Sequence, residues 1–204
     1  PNTGYQFYLR SVCTDSEGGV NNSIWVGPFN WNTKPLGSIC SAPIVVTPPP
    51  YSDSSNTTIY GNNIINGTPG NTGCGAGAGF LGGNDVVYSF TPVVTGNIVI
   101  SMDPQGATNT GIFVYANCAS IGNTCIGGVG NNNANIRTIP SLAVTQDQTI
   151  FIVISSTTAT PNFAYNLSIQ VATCPQPTTL SVAQPFGPTS GTASWVNGTG
   201  STAT

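Results

Sequence analysis

Between Cys40 and about Val171 the chain repeats one device: a short run in which large apolar side chains alternate with small polar ones, closed by a cluster of Gly, Pro, Asn or Asp. The runs are APIVVT, NTTIY, DVVYSFT, NIVISM, GIFVYA, ANIRTI, TIFIVIS and FAYNLSIQV, with turn signals such as TPVVTGN and DPQGATNTG between them. A period of two is what a half-buried strand requires, and no stretch shows the helical period with caps. Eight short strands at this spacing predict an all-β chain whose centre is a two-sheet, jelly-roll-like sandwich.

Composition agrees and excludes several partners. Of 204 residues, 39% are hydrophobic, enough for a core, while only three are Lys or Arg and six are Asp or Glu. The surface must therefore be solvated by hydroxyls and amides. Arg10, Lys34 and Arg137 lie far apart in sequence, whereas phosphate binding needs clustered cations, so nucleic acid is excluded as a partner. No apolar run approaches the ~20 residues of a helical membrane span, and no signal peptide precedes Pro1, which places any export signal outside these residues.

The flanks carry the same alternation in smaller pieces. In GYQFYLRSV, Tyr5, Phe7 and Leu9 alternate with Gln6, Tyr8 and Arg10; in SIWVGPFNWNT, Phe29 and Trp31 alternate with Asn30 and Asn32. Joined by CTDSEGGVNN, the two predict a hairpin. TTLSVAQ and GTASWVN predict another pair of strands near the far end. A strand pair alone cannot cover an apolar face, so residues that complete each sheet are expected outside these segments.

Six cysteines in a chain with so little charge favour an oxidising compartment. With no His and no Cys-x-x-Cys, a zinc site is excluded in favour of disulfides. Sequence proximity within the central region pairs Cys40 with Cys74 and Cys118 with Cys125, bridges worth roughly 3.8 and 2.5 kcal/mol in the chain-entropy picture. Cys13 and Cys174 remain in the flanks, each expected to have its partner elsewhere.

Two resemblances attach to these stretches. Pro1, Thr3, Tyr5, Phe7 and Leu9 resemble the penultimate strand of a fibronectin type III module, with Tyr5 at its corner tyrosine, and IWVGPFNWNT resembles the last strand. CPQPTTLSVAQPFGPTSGTASWVNGTG resembles the first two strands of another such module, with Trp195 at the core tryptophan. In the cysteine-bearing variety of these modules, found on surface proteins of gliding bacteria, Cys174 and Cys13 would match the two paired positions, in different copies. GNDVVYSFTPVVTGNIVIS, NTGIFVYANC and QTIFIVISSTTATPNFAYNLSI are similar to the bacterial pre-peptidase C-terminal domain. The resemblances imply three parts: residues 1–36, the closing strands of one incomplete immunoglobulin-like sandwich; 37–173, the central sandwich; and 174–204, the opening strands of another. They also imply a secreted, multi-domain cell-surface protein of the type IX secretion kind.

Catalysis finds no constellation. There is no His to act as base, and of Asp15, Glu17, Asp53, Asp85, Asp103 and Asp147 only Asp15 and Glu17 are close in sequence, in a solvated loop. No catalytic residue, metal ligand or cofactor is expected. Asp85, in GGNDVVY, could join Asn84 and carbonyls around calcium, but calcium takes six to eight oxygens and two side chains do not supply them. GCGAGAGFLGGN echoes a phosphate loop without the helix and Lys that complete one, and reads as a pliable loop pinned by Cys74. The sequons at Asn21, Asn56, Asn66, Asn166 and Asn197 are expected by chance in a chain so rich in Asn, Ser and Thr. Most aromatic rings fall in strands and predict core; Trp25, at the edge of the hairpin, is the candidate for stacking on a sugar ring. The expectation is a non-enzymatic, structural and adhesive segment, able to form filaments and to serve surface attachment or gliding. Its partners would be further modules of the same chain, neighbouring copies or surface polysaccharide. Its rivals are a carbohydrate-binding accessory region of a secreted hydrolase and a homopolymeric extracellular fibre subunit.

Overall fold

The computed structural model describes residues 3–64, 68–70, 74–77 and 79–172, together with the backbone of two further strands at 178–182 and 193–196. The centre is a two-sheet β-sandwich, as the alternating runs require. Its strands are β5 (Ile44–Val46), β6 (Tyr51–Asn56), β7 (Val86–Phe90), β8 (Gly96–Asp103), β9 (Thr110–Tyr115), β10 (Cys125–Asn131), β11 (Arg137–Val144), β12 (Ile150–Ser156) and β13 (Ala164–Val171). One sheet has the order β10-β9-β12-β7-β5, the other β11-β8-β13-β6. All neighbouring pairs are antiparallel except β5 with β7.

Alternation decides which side chains meet. Val86, Tyr88, Ile112, Val114, Ile152 and Ile154 of the first sheet face Ile98, Ile100, Met102, Leu167 and Ile169 of the second in the main core. The opposite faces of the same strands are also buried: Val87, Phe113, Tyr115 and Val153 pack against Phe80, Leu81 and Cys74 in a second cluster. Those last three belong to the connection between β6 and β7, whose described residues 74–77 and 79–81 form a strap over the outside of the five-stranded sheet. This double burial is why DVVYSFT, GIFVYA and TIFIVIS read as nearly continuous apolar runs.

The outer face of the four-stranded sheet meets solvent with almost no charge, Asp103 at the end of β8 being the exception. Ser52, Ser168, Ser101 and Thr138 stand opposite one another across all four strands, and Ser101 Oγ lies 3.1 Å from Thr138 Oγ1. Hydroxyls here take the place that Lys and Glu fill in most β-proteins.

Three strand assignments require correction. NTTIY is not a strand: Asn56 Oδ1 accepts from Thr58 N–H and caps a 3-10 turn over Thr57–Ile59. The strand is instead YSDSSN, whose inward positions are polar because their partners are hydroxyls. Tyr88 Oη donates to Asp53 Oδ2 at 2.8 Å and lies 2.5 Å from Tyr165 Oη, and Ser55 Oγ lies 3.0 Å from Tyr60 Oη. Burial and the neighbouring carboxylate push both Tyr88 and Tyr165 well above the usual tyrosine range, so the hydroxyls stay protonated. Asp53 is an inward-pointing carboxylate on an edge strand, which discourages a foreign strand from adding there. Replacing Tyr88→Phe should cost about 1–3 kcal/mol, read as a shift in urea midpoint, because Asp53 and Tyr165 lose their shared partner.

The second correction concerns ANIRTI, whose strand begins only at Arg137 and runs on to Val144. The third is a strand not foreseen, β10, whose sequence CIGGVGN is too glycine-rich to read as one. Its glycines are needed for contact: a Cβ on Gly128 would lie 2.6 Å from Cys74 O, and one on Gly75, at φ +63°, 2.3 Å from Gly128 O. The strap passes so close to β10 that neither backbone has room for a side chain.

The flanks form separate ladders. β1 (Gly4–Leu9) pairs with β4 (Val26–Asn32), Tyr5 opposite Trp31 and Phe7 opposite Phe29, while β2 (Val12–Thr14) and β3 (Val20–Asn22) pair within the connecting segment. β14 (Thr178–Val182) pairs with β15 (Ala193–Val196).

The chain enters and leaves the sandwich at opposite ends. Lys34 Nζ donates to Asn63 Oδ1, and Val87 N–H donates to Gly37 O, both beside the start of β7. β13 runs antiparallel to β8, which starts where β7 finishes, and Ala172 N–H donates to Asn97 O there.

Candidate functional site

The residue singled out for sugar stacking, Trp25, immediately precedes β4 and is 59% exposed. Arg10 Cζ lies 4.7 Å from its ring centroid, so one face of the indole is covered by a guanidinium and the other is open. The hairpin behind it is two-sided. Gln6 Nε2 donates to Asn30 Oδ1 on one face, whereas Tyr5, Phe7, Leu9, Val26, Phe29 and Trp31 share the other, each between 41% and 58% exposed. Their rings pair across the strands, Tyr5–Trp31 at 5.7 Å and Phe7–Phe29 at 5.2 Å between centroids. In this structure these rings face solvent.

The four central cysteines form two disulfides, but not with the partners that sequence proximity assigned. The bridges are Cys40–Cys118 and Cys74–Cys125, with Cα separations of 5.7 and 5.5 Å. Geometry separates the expected pair Cys118 and Cys125. Cys125 opens β10 beneath the strap, where Cys74 passes, whereas Asn117 caps a 3-10 turn that places Cys118 against the linker. Loop length could not have decided the matter, since doubling a loop changes its closure cost by only about 0.6 kcal/mol. Cys13 is exposed and unbridged. Cys174 lies outside the described residues, as do the sequons at Asn66 and Asn197.

Asp85 is fully buried at the head of β7. Its Oδ2 accepts from the backbone N–H of Asn63 and Ile64 at 3.2 and 2.9 Å, and its own N–H donates to Gly61 O. Oδ1 has no partner at hydrogen-bonding geometry; neither does the Ser155 hydroxyl, which lies close enough to ease the charge. Desolvation outweighs those hydrogen bonds and pushes the carboxyl up to about 6.

Arg137 falls in the expected strand ANIRTI, where an isolated Arg reads as facing solvent, so its role was missed. It is 1% exposed. Nε donates to Thr110 O at 2.9 Å, one terminal nitrogen to Asn133 Oδ1 and Asn135 O, the other to Asn131 O and Asn133 O. Burial lowers its pKa, yet guanidinium keeps its charge in proteins. The side chain thus fixes the loop NNNAN through its fork of donors.

The remaining acids do not converge. Asp15 Oδ1 accepts from Glu17 and Gly19 N–H in the hairpin loop, and Asp103 Oδ1 accepts from Gln105 N–H. Among the described residues no three His, Cys, Asp or Glu side chains come together as a metal cluster, and no helix is long and apolar enough to cross a membrane.

No family model matches the chain, and no curated protein matches it. Among solved structures it is similar to the pre-peptidase C-terminal domain of a collagenase from Bacillus anthracis, at 11% identity and a TM-score of 0.40, over 63% of this chain and 96% of that one. A likeness at that level carries no argument about activity.

Proposed function

We propose that this chain is a structural and adhesive segment of a secreted, multi-domain cell-surface protein, in which fibronectin-like pieces at 1–36 and 174–204 flank the sandwich 37–173 along a rod. The observation that supports this reading is that the linker arrives beside the start of β7 while β13 leaves at the other end, which suits flanking modules strung in line. Two bridges within the sandwich suit an oxidising, extracellular setting. The open aromatic face of the β1–β4 hairpin suits burial by further strands of a fibronectin-like sheet, from the same chain or a neighbouring copy. Surface attachment, gliding and type IX export belong to this proposal, resting on the sequence resemblance.

A second reading, a polysaccharide-binding accessory region, is favoured by the open ring face of Trp25. One experiment separates the two. Microspheres coated with the chain should be retained under shear on glass and on polysaccharide films alike, and Trp25→Ala should leave retention unchanged. Retention confined to one polysaccharide and abolished by Trp25→Ala would replace the adhesive reading with the accessory one, and retention no better than albumin-coated beads would end both.

A further inference from the structure

We propose that the Cys40–Cys118 disulfide is a thiol-released clasp: a small external thiol opens it while Cys74–Cys125 stays closed, and its opening frees the linker turn 37–42 from a sandwich that remains folded. The two bridges differ in access. Cys74 and Cys125 are 0% and 7% exposed, enclosed with Phe80, Leu81, Phe113 and Tyr115 between the strap and the five-stranded sheet. Cys118 is exposed, as are Asn117 and Ala119 on either side of it, and Cys40 is half-buried. Thiol–disulfide exchange requires the attacking sulfur to reach a sulfur of the bridge. The exposed bridge therefore exchanges from the native fold, whereas the enclosed one waits for the strap to lift.

What each bridge ties also differs. Cys74–Cys125 fastens the strap to β10 across the seam of glycines and holds the second apolar cluster shut. Cys40–Cys118 joins the linker turn to the turn after β9. The linker turn is otherwise held by backbone bonds: Gly37 N–H donates to Ala42 O, Ala42 N–H to Ile39 O and Ser38 N–H to Pro35 O, while Gly37 O accepts from Val87 N–H. On the other side Cys118 sits in a single 3-10 turn, whose cap Asn117 Oδ1 accepts from Ser120 N–H at 3.0 Å. Neither turn contributes a residue to the main core. Opening this bridge thus loosens the joint between β4 and β5 and leaves both sheets in place.

The exchange balances with the thiol alone. The incoming thiolate bonds to Cys118 Sγ, the bond between the two Sγ atoms breaks, and Cys40 leaves as a thiolate that takes up a proton. A second thiol then displaces the first as a free disulfide, so two electrons pass from the reagent to the bridge. A small-molecule disulfide reverses both steps, and the state of the joint follows the thiol balance of its surroundings.

The test is timed reduction of the whole chain by dithiothreitol under native conditions, after any thiol already free has been blocked with N-ethylmaleimide. Newly released thiols are labelled with iodoacetamide and located by peptide mapping, and amide hydrogen exchange is followed on the same samples. Cys40 and Cys118 should take the label on the order of 100-fold faster than Cys74 and Cys125. At that stage the amides of Gly37 and Ala42 should exchange about 10-fold faster, with those of β7, β9 and β12 unchanged. Cys40→Ser with Cys118→Ser should show the fast linker exchange without reductant, and no further change at reductant exposures that leave Cys74–Cys125 closed. Labelling of all four cysteines together, or of Cys74 and Cys125 first, overturns the clasp. So does linker exchange unmoved by opening the bridge, or loss of protection across the sheets as soon as it opens, which would make the bridge part of the framework of the fold.

Discussion

Reduction of the two disulfides should collapse the strap and unfold the sandwich at a temperature where the oxidised protein is intact. In the chain-entropy picture, a bridge across 51 residues, Cys74–Cys125, contributes about 4 kcal/mol, and one across 78 residues, Cys40–Cys118, slightly more. The loops overlap in sequence, so the two contributions do not simply add. Either is still a large share of the roughly 5–15 kcal/mol by which a domain is ordinarily stable. Cys74→Ala with Cys125→Ala should lower the unfolding free energy by about 4 kcal/mol and expose Phe80 and Leu81, read as dye binding by apolar surface. Peptide mapping without reduction should return Cys40 linked to Cys118 and Cys74 linked to Cys125. Peptides linking Cys40 to Cys74 would mean that the strap does not lie over β10.

Arg137→Ala should also be damaging, at about 1–3 kcal/mol, because the buried carbonyl of Thr110 is left without its donor and those of Asn131 and Asn133 lose theirs with it. Arg137→Lys should recover little of this, since an ammonium cannot reproduce the planar fork that spans them. Urea midpoints of the two variants check the size of the effect. Amide exchange in residues 131–136 checks its place: the loop should lose protection before the strands do. If Arg137→Lys matched the native protein, the donors would be dispensable and the side chain would serve only as filler.

Much of the fold was legible because strand alternation is a local code. The core faces of β7, β8, β9, β12 and β13 can be read from their own residues. Where reading failed, the partner was remote. YSDSSN looks like a loop until Tyr88 and Tyr165 supply hydroxyls for its inward positions, and CIGGVGN looks like a loop until the strap is seen to need its glycines. The cysteine partners failed for a related reason, since proximity along the chain is a weak guide when closing a long loop costs little more than closing a short one. Asp85 was noticed as an acid beginning a strand, but nothing local signals that the strap will bury it. Arg137 carried no signal, because all but one of its acceptors are backbone carbonyls, which every sequence contains. Trp25 lies just before β4 and is exposed, but the Arg10 stacked on it sits across the ladder, beyond the reach of local pattern.

The overlapping disulfides also set how far the sandwich can lengthen if it is pulled from its two ends. Covalent linkage passes from Cys40 directly to Cys118, so the intervening chain, a sequence separation of 78, cannot add length while the bridge holds. At roughly 3.5 Å per extended residue, that withholds on the order of 270 Å of slack. Only the stretch beyond Cys118, with β10, β11, β12 and β13, is free to pay out, roughly 185 Å by the same measure. Under load the sandwich would thus behave as a short tether with a fixed stop.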